Sequence, residues 1–181
     1  MTKPELLGAL NNVLNNFVFG LVLTRIVPES AWGGLSGRLA TFQGPAGDLL
    51  HVNLDAISRN MSNPGDRKLL IEEFENNLKR ALVSEGHEVI IAYCAESNQF
   101  PVYKAEPWFQ FARIIRNVVS HKDGGVLQNW PADLGKGGIN QVSWRTRTLD
   151  VSMVGQSVSF THHEALQLFQ DQLEFAQTNL K

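Results

Sequence analysis

The stretch that decides the fold runs from Pro107 to Gly125 and reads PWFQFARIIRNVVSHKDGG. Its apolar residues recur at spacings of three and four, which is the period of an amphipathic α-helix. The apolar stripe consists of Trp108, Phe111, Ala112, Ile115 and Val119. The opposite face, called the polar strip below, carries Arg113, Arg116, Asn117 and Ser120. Pro107 suits a first helical turn and Gly124–Gly125 stops a helix, so the stretch predicts one helix.

Three further stretches show the same helical period. One runs from Pro4 to Arg25, and a second begins at a cap formed by Asn63 or Asp66 and ends near Glu96. The last begins with Thr161–Glu164, which has the Thr-x-x-Glu form of a capping box. Together with the decisive stretch, these predict about four main helices.

Between the third and the last predicted helix, the period changes to two. Val142, Trp144, Thr146 and Thr148 alternate there with Ser143, Arg145 and Arg147. This alternation predicts a small antiparallel β-hairpin over about residues 141–160, with a turn near Gly155–Gln156. The predicted fold class is therefore mainly α, a bundle of about four main helices with an inserted β-hairpin before the last helix.

Length and composition indicate a single domain over residues 1–181. A chain of this length buries roughly 70% of the surface that its unfolded state exposes. Hydrophobic residues make up 43% and charged residues 19%, which is typical of a globular protein and not of a disordered one. The many breakers between residues 30 and 65, among them Gly33–Gly34, Gly44–Pro45 and Asn63–Pro64–Gly65, predict an irregular connection with only short elements.

Cysteine content, the N-terminus and net charge bear on compartment and partners. Cys94 is the single cysteine, which excludes an internal disulfide and a cysteine zinc site within one chain and fits a reducing compartment. No apolar run is long enough to span a bilayer, so we expect a cytoplasmic protein without a membrane partner. The formal net charge of -2 counts against non-specific, high-affinity DNA binding, because phosphate contacts have to come from a local cluster.

Residues 111–121, FARIIRNVVSH, resemble the signature of the HEPN superfamily of compact helical bundles. That signature is an Arg, a polar residue that is often Asn, three variable residues and a His, with apolar residues ahead of the Arg. Arg116, Asn117 and His121 occupy the three matching positions. The His follows the Arg by five positions, which is about 140° around an ideal helix, so the two side chains converge only if the helix ends or kinks near Ser120.

The resemblance implies a metal-independent endoribonuclease with no cofactor. In this reading Arg116 holds the phosphate with its rigid fork of donors, and His121 exchanges a proton near neutral pH. Asn117 orients one of the two through a neutral hydrogen bond. Cleavage by the adjacent 2′-hydroxyl then leaves a 2′,3′-cyclic phosphate and a 5′-hydroxyl. The expected RNA-binding residues are Arg113, Ser120 and Lys122.

The same resemblance implies the partners. RNA is the expected substrate, and a homodimer is expected because the sites of two protomers in such families commonly face each other across a cleft. A toxin or defence role is implied, with a cognate antitoxin protein as a further partner. The alternative is a non-catalytic HEPN-like module that binds a nucleotide, an RNA or a protein partner, since the motif does not guarantee catalysis.

Other candidate sites have simpler explanations. His162–His163 are adjacent and lack an HExxH pattern, so we interpret them as polar residues at a helix start and not as metal ligands. Gly135–Gly138 lacks the remainder of a phosphate-binding loop and is interpreted as a flexible loop. Arg145 and Arg147 beside Trp144 suit either nucleic-acid contact or a solvated hairpin face, and the second is the commoner arrangement.

Overall fold

The computed structural model describes residues 1–120 and 125–181. Within these ranges the helices are α1 (Lys3–Ile26), α2 (Glu29–Gly33), α3 (Asp55–Ser62), α4 (Pro64–Glu96), α5 (Phe100–Lys104), α6 (Phe109–Ser120), α7 (Ala132–Lys136) and α8 (His162–Thr178). The strands are β1 (Leu39–Gln43), β2 (Leu49–Asn53), β3 (Gln141–Trp144) and β4 (Arg147–Asp150), and a 3-10 turn covers Val151–Met153. The predicted mainly α fold, with four long helices and a hairpin before the last, is confirmed.

The ends of the long helices follow their capping residues. The side chain of Asn63 accepts a hydrogen bond of 2.9 Å from the backbone N–H of Gly65 at the start of α4. Thr161 and Glu164 form the predicted capping box at the start of α8, since each side chain accepts a hydrogen bond from the other residue's backbone N–H. The sequence signals for these two helix starts are therefore confirmed.

The described residues divide into two compact units, one of Met1–Phe17 with Leu78–Lys181 and one of Val18–Asn77. The first, called unit 1, contains almost all of the buried apolar side chains. Its core includes Leu6, Leu10, Leu82, Ile90, Tyr103, Phe109, Phe111, Ile115, Leu168 and Phe169, each at most 2% exposed. Of the apolar stripe predicted for α6, Phe111, Ala112 and Ile115 are buried and Val119 is half-buried, as is Trp108 just ahead of the helix. The buried face also includes Phe109, Ile114 and Val118.

Helix α4 continues through Gly86, where the sequence offers a weak interruption. A Cβ atom at Gly86 would lie 2.7 Å from two ring carbons of Phe169 on α8. Glycine at this position therefore allows the two helices to pack closely within unit 1.

The hairpin of β3 and β4 is part of unit 1 and packs its apolar side against the core of that unit. Trp144 is 4% exposed, its ring centroid lies 5.4 Å from that of Phe111, and its Nε1 donates to the Asp171 carboxylate at 2.7 Å. The predicted turn near Gly155 is wrong, because the strands turn at Arg145–Thr146, where Arg145 has a φ of +51°. The chain around Gly155 pairs instead with residues 125–127, a long-range partner that local periodicity does not reveal.

The second unit, Val18–Asn77, is called unit 2 and contains a regular hairpin where the sequence predicts an irregular connection. Strands β1 and β2 pair antiparallel around a turn at residues 44–47, in which Gly47 has a φ of +83°. Arg67 and Glu29 form an ion pair of 2.5 Å, and Arg25 lies 3.2 Å from Glu75. The prediction failed because Leu39 and Leu49 obscure the alternation of the strands.

Unit 2 exposes many large apolar side chains. Among the described residues, Met61 is its only contribution to the buried apolar core. The exposed apolar set of unit 2 comprises Val18, Phe19, Val22, Ile26, Leu39, Phe42, Leu49, Leu50, Val52, Ile57, Leu69, Leu70 and Phe74. The pairs Phe42–Leu50 and Ala40–Val52 are directly opposite in the ladder, so these four residues share one apolar hairpin face.

Helix α1 differs from the sequence expectation about membrane spans. With 24 residues it is long and apolar enough to cross a membrane by length and composition, and no other helix of the described residues meets these criteria. Core helices of soluble proteins meet them as well. Leu6, Leu10, Val13 and Phe17 on α1 are buried in the core of unit 1, as in a globular domain.

Candidate functional site

The polar strip of α6 lies on the face that the core leaves uncovered. Arg113, Arg116 and Ser120 are half-buried and Asn117 is exposed, while the neighbouring Ile114, Ile115 and Val118 are at most 1% exposed. The predicted division of this helix into an apolar and a polar face is therefore confirmed. All four strip residues belong to unit 1.

Arg116 lies between two partners. Its Nη2 forms an ion pair with Oε1 of Glu88 on α4, and its Nη1 donates to Oδ1 of Asn117 at 3.1 Å. The Arg116 side chain is 35% exposed and that of Glu88 is 53% exposed, so solvent reaches this pair. Asn117 is therefore in contact with the arginine, and the orienting role that the resemblance implies for it stays a prediction.

Arg113 is held by a residue of α7. Its two terminal nitrogens each donate to one carboxylate oxygen of Asp133 at 2.9 Å, which is a bidentate pair. The hydrogen bond from Arg113 lowers the pKa of the Asp133 carboxyl below its usual value. Arg113 is therefore partly neutralised in the free protein, and its predicted role in RNA binding requires that it exchange or share this partner.

Two contacts fix the end of α6 against α4. The hydroxyls of Ser120 and Ser84 lie 2.7 Å apart, and Nε of Arg80 donates to the carbonyl oxygen of Val119 at 3.0 Å. A cation at the last carbonyls of a helix also stabilises the helix dipole. Ser120, predicted to bind RNA, thus has a structural partner in the described fold.

His121 and Lys122 lie outside the described residues. The predicted catalytic role of His121 and the predicted RNA-binding role of Lys122 therefore stay predictions. His121 follows Ser120 directly in the sequence. Of the predicted catalytic residues, the structure brings Arg116 and Asn117 into direct contact.

Beside Arg116 is a cleft between α4, α5 and α6, which we call the α4–α6 cleft. Its volume is about 360 Å³. It is lined by His87, Glu88, Ile91, Phe100, Lys104, Phe109, Arg113, Arg116 and Asn117. Clefts of this size, with apolar walls and a few convergent polar groups, are typical of small-molecule sites.

One residue that lines the cleft, His87, belongs to a buried polar pair. His87 is 2% exposed, and its Nδ1 lies 2.8 Å from the hydroxyl of Tyr103, which is fully buried. Burial, followed by the nearby Arg116 cation, lowers the pKa of His87 to about 4. Burial also raises the pKa of the Tyr103 hydroxyl. His87 is therefore a neutral imidazole at physiological pH and Tyr103 a neutral phenol.

Sequence reasoning missed Glu88, His87, Phe100 and Lys104. One signal for His87 was present, because it continues the buried positions Val83, Ile90 and Cys94 on α4 at helical spacing. No local pattern identifies Glu88, since its contact with Arg116 joins residues 28 apart on different helices. Phe100 and Lys104 are on a short helix whose position depends on packing.

Three of the remaining sequence candidates have structural partners, and Gly135–Lys136, interpreted as part of a flexible loop, lies in α7 instead. Arg145 contacts the Asp171 carboxylate at 2.7 Å and Arg147 lies 3.3 Å from Glu164, so both tie the hairpin to α8. The ring of His162 stacks on Phe17 at 6.4 Å. Within residues 1–120 and 125–181, no group of three or more His, Cys, Asp or Glu side chains is placed to hold a metal ion.

Comparisons with protein-family models, curated proteins and solved structures gave no match for this chain.

Proposed function

We propose that this protein is an endoribonuclease of the HEPN type that cleaves RNA without a metal ion. The observation that carries the proposal is the arrangement of Arg116, which is solvent-accessible, in contact with Asn117 and located at the mouth of a cleft. The sequence adds His121 five positions later, as in the family signature that the chain resembles. A guanidinium and an imidazole together supply phosphate binding and proton transfer.

In the proposed reaction, His121 accepts the proton of the 2′-hydroxyl as the 2′ oxygen attacks phosphorus. The bond from phosphorus to the 5′ oxygen breaks, the leaving oxygen takes a proton from water, and the hydroxide so formed takes back the proton held by His121. The products are a 2′,3′-cyclic phosphate and a 5′-hydroxyl. Arg116 stabilises the charge that develops on the non-bridging phosphate oxygens, because its donors are fixed before the reaction begins.

For this reaction, Glu88 has to release its contact with the Arg116 guanidinium so that the phosphate can bind there. In the free protein it occupies one side of the guanidinium. An arginine has five N–H donors, so Arg116 can keep Asn117 and bind a phosphate in place of the carboxylate. Exchange of one anion for another keeps the charge of the arginine paired, which limits the cost of substrate binding.

The direct test is incubation of the purified protein with mixed RNA in EDTA. Wild type is expected to produce fragments that end in 2′,3′-cyclic phosphate, and both Arg116→Ala and His121→Ala are expected to lower the rate at least 100-fold. Arg38→Ala and His163→Ala, which change exposed residues outside the site, are the matched controls. No cleavage at any pH, or cleavage undiminished in His121→Ala, would remove the enzymatic proposal. RNA binding without turnover would favour the binding module instead.

We also propose that the protein is a homodimer in which a second copy covers the apolar hairpin face of unit 2. Phe42 is 58% and Leu50 63% exposed, and an isolated two-stranded hairpin is only marginally stable in water. The exposed apolar set of unit 2 comprises 13 large side chains, and three of them, Phe42, Leu50 and Val52, lie on this one hairpin face. An exposed apolar face of this kind is suited to an interface between two copies.

The proposal extends to a cytoplasmic toxin or defence protein with a cognate antitoxin. Its support is the resemblance of residues 111–121 to the HEPN signature. Expression of wild type in a bacterial host is expected to arrest growth, and expression of Arg116→Ala is not. If the two chains arrest growth equally, the toxicity does not come from this site.

A further inference from the structure

We propose that the α4–α6 cleft binds the guanine base of an RNA nucleotide next to the phosphate held by Arg116. This inference rests on the proposed function and names the base at the same site. It follows from three features of the cleft: an aromatic platform, a single carboxylate and a set of cations at the rim.

The platform is the ring of Phe100. It is half-buried and packs edge-on against the buried Phe109, with 6.0 Å between ring centroids and an interplanar angle of 83°. Ile91, also half-buried, lines the same cleft. A ring that is fixed from one side and open on the other is suited to stacking, and single-stranded RNA bases are recognised by stacking on such side chains.

The carboxylate selects the base. Glu88 is the only anionic side chain lining the cleft in the described residues. Guanine presents two adjacent N–H donors, N1–H and N2–H, which match the two oxygens of one carboxylate. Adenine, cytosine and uracil each present one N–H group or amino group on that edge. Glu88 is released for this contact when Arg116 exchanges it for the phosphate.

The rest of the cleft is compatible with an uncharged base and a charged backbone. His87 is neutral at physiological pH and adds no charge to the cleft. Lys104 is exposed at the cleft and forms no ion pair with another described residue. It is therefore available to a neighbouring phosphate.

Binding and cleavage test the inference separately. In titration calorimetry, wild type is expected to bind GMP at least 10-fold more tightly than AMP, CMP or UMP. Phe100→Leu keeps the apolar volume without the ring, and stacking energies of about 1–3 kcal/mol predict roughly 5- to 150-fold weaker GMP binding. Val102→Leu changes an exposed residue of the same helix that does not line the cleft, and is expected to bind GMP like wild type.

Glu88→Gln separates base selection from the positioning of Arg116. If Glu88→Gln loses the guanine preference in both binding and cleavage, the inference is supported. If binding and cleavage weaken equally for all four bases, Glu88 only positions Arg116 and the inference is overturned. Equal GMP binding by Phe100→Leu and Val102→Leu also overturns it, even if RNA is cleaved. If GMP binding depends on Phe100 but RNA is not cleaved, the base-binding inference stands and the proposed nuclease function is refuted. If GMP does not bind and RNA is not cleaved, the inference and the proposed function are both refuted.

Discussion

Replacing Arg116 by alanine is expected to abolish activity and leave the fold intact, whereas Ile115→Ala is expected to damage the fold. Arg116 loses an ion pair whose members are 35% and 53% exposed, and such pairs contribute about 0–1 kcal/mol. Ile115 is fully buried, and its truncation costs about 2–5 kcal/mol through lost contacts and a residual cavity. The two substitutions change adjacent residues of one helix and differ in the face that they affect.

Thermal unfolding measures this difference. For a chain of this size, 1 kcal/mol shifts the midpoint by roughly 2–4 °C. Ile115→Ala is therefore expected to melt roughly 4–20 °C below wild type, and Arg116→Ala within about 4 °C of it. The RNA cleavage rate is measured on the same samples below both midpoints. If Arg116→Ala melts as early as Ile115→Ala, then Arg116 is a structural bridge between α4 and α6 and the assignment of the site loses its main support.

Three further substitutions test the packing, the buried imidazole and the apolar hairpin face. Gly86→Ala places a methyl group against the buried ring of Phe169 and is expected to destabilise the fold by about 1–3 kcal/mol. Gly8→Ala, at an open position in α1, is expected to stabilise the fold slightly, and thermal melts compare the two variants. The pKa of His87 in the folded state is about 4, which is below its value in the unfolded state. The free energy of unfolding is therefore expected to be highest above pH 6.5 and to fall by about 3 kcal/mol as the pH is lowered to 4. In urea titrations, His87→Phe is expected to weaken this pH dependence. Phe42→Glu is expected to yield a monomer of 20.2 kDa by light scattering, whereas Thr41→Glu, on the other hairpin face, is expected to stay dimeric. A wild-type protein that is itself monomeric would refute the proposed interface.

The parts of the fold that the sequence predicted are those that local chemistry determines. The helical period of residues 108–119 identified both the buried and the polar face of α6, and the capping box at Thr161 placed the start of α8. Both signals act within one or two turns of helix. They are therefore readable without knowledge of the neighbouring elements.

The parts that it missed depend on long-range contacts. The turn at Arg145 has no Gly or Asn signal, and its positive φ accompanies an ion pair with Asp171 on α8. The role of Gly86, which is to leave space for Phe169, could not be predicted because that ring lies on another helix. The same reason explains the candidate site, where Arg116 was identified from a linear motif but Glu88 was not.

Under the proposed function, the paired charges around the cleft limit how strongly a protein with a net charge of -2 attracts RNA. Three cations line the cleft, but Glu88 pairs with Arg116 and Asp133 pairs with Arg113, so Lys104 alone retains an unpaired charge among the described lining residues. Phosphate attraction at this site is therefore weak at long range, and exchange of ion-pair partners contributes little net free energy. Under the proposed function, affinity then comes mainly from contacts that salt does not screen, such as stacking on Phe100. A nuclease built in this way discriminates by the base in the cleft more than by the charge of the backbone, because every RNA offers the same phosphates.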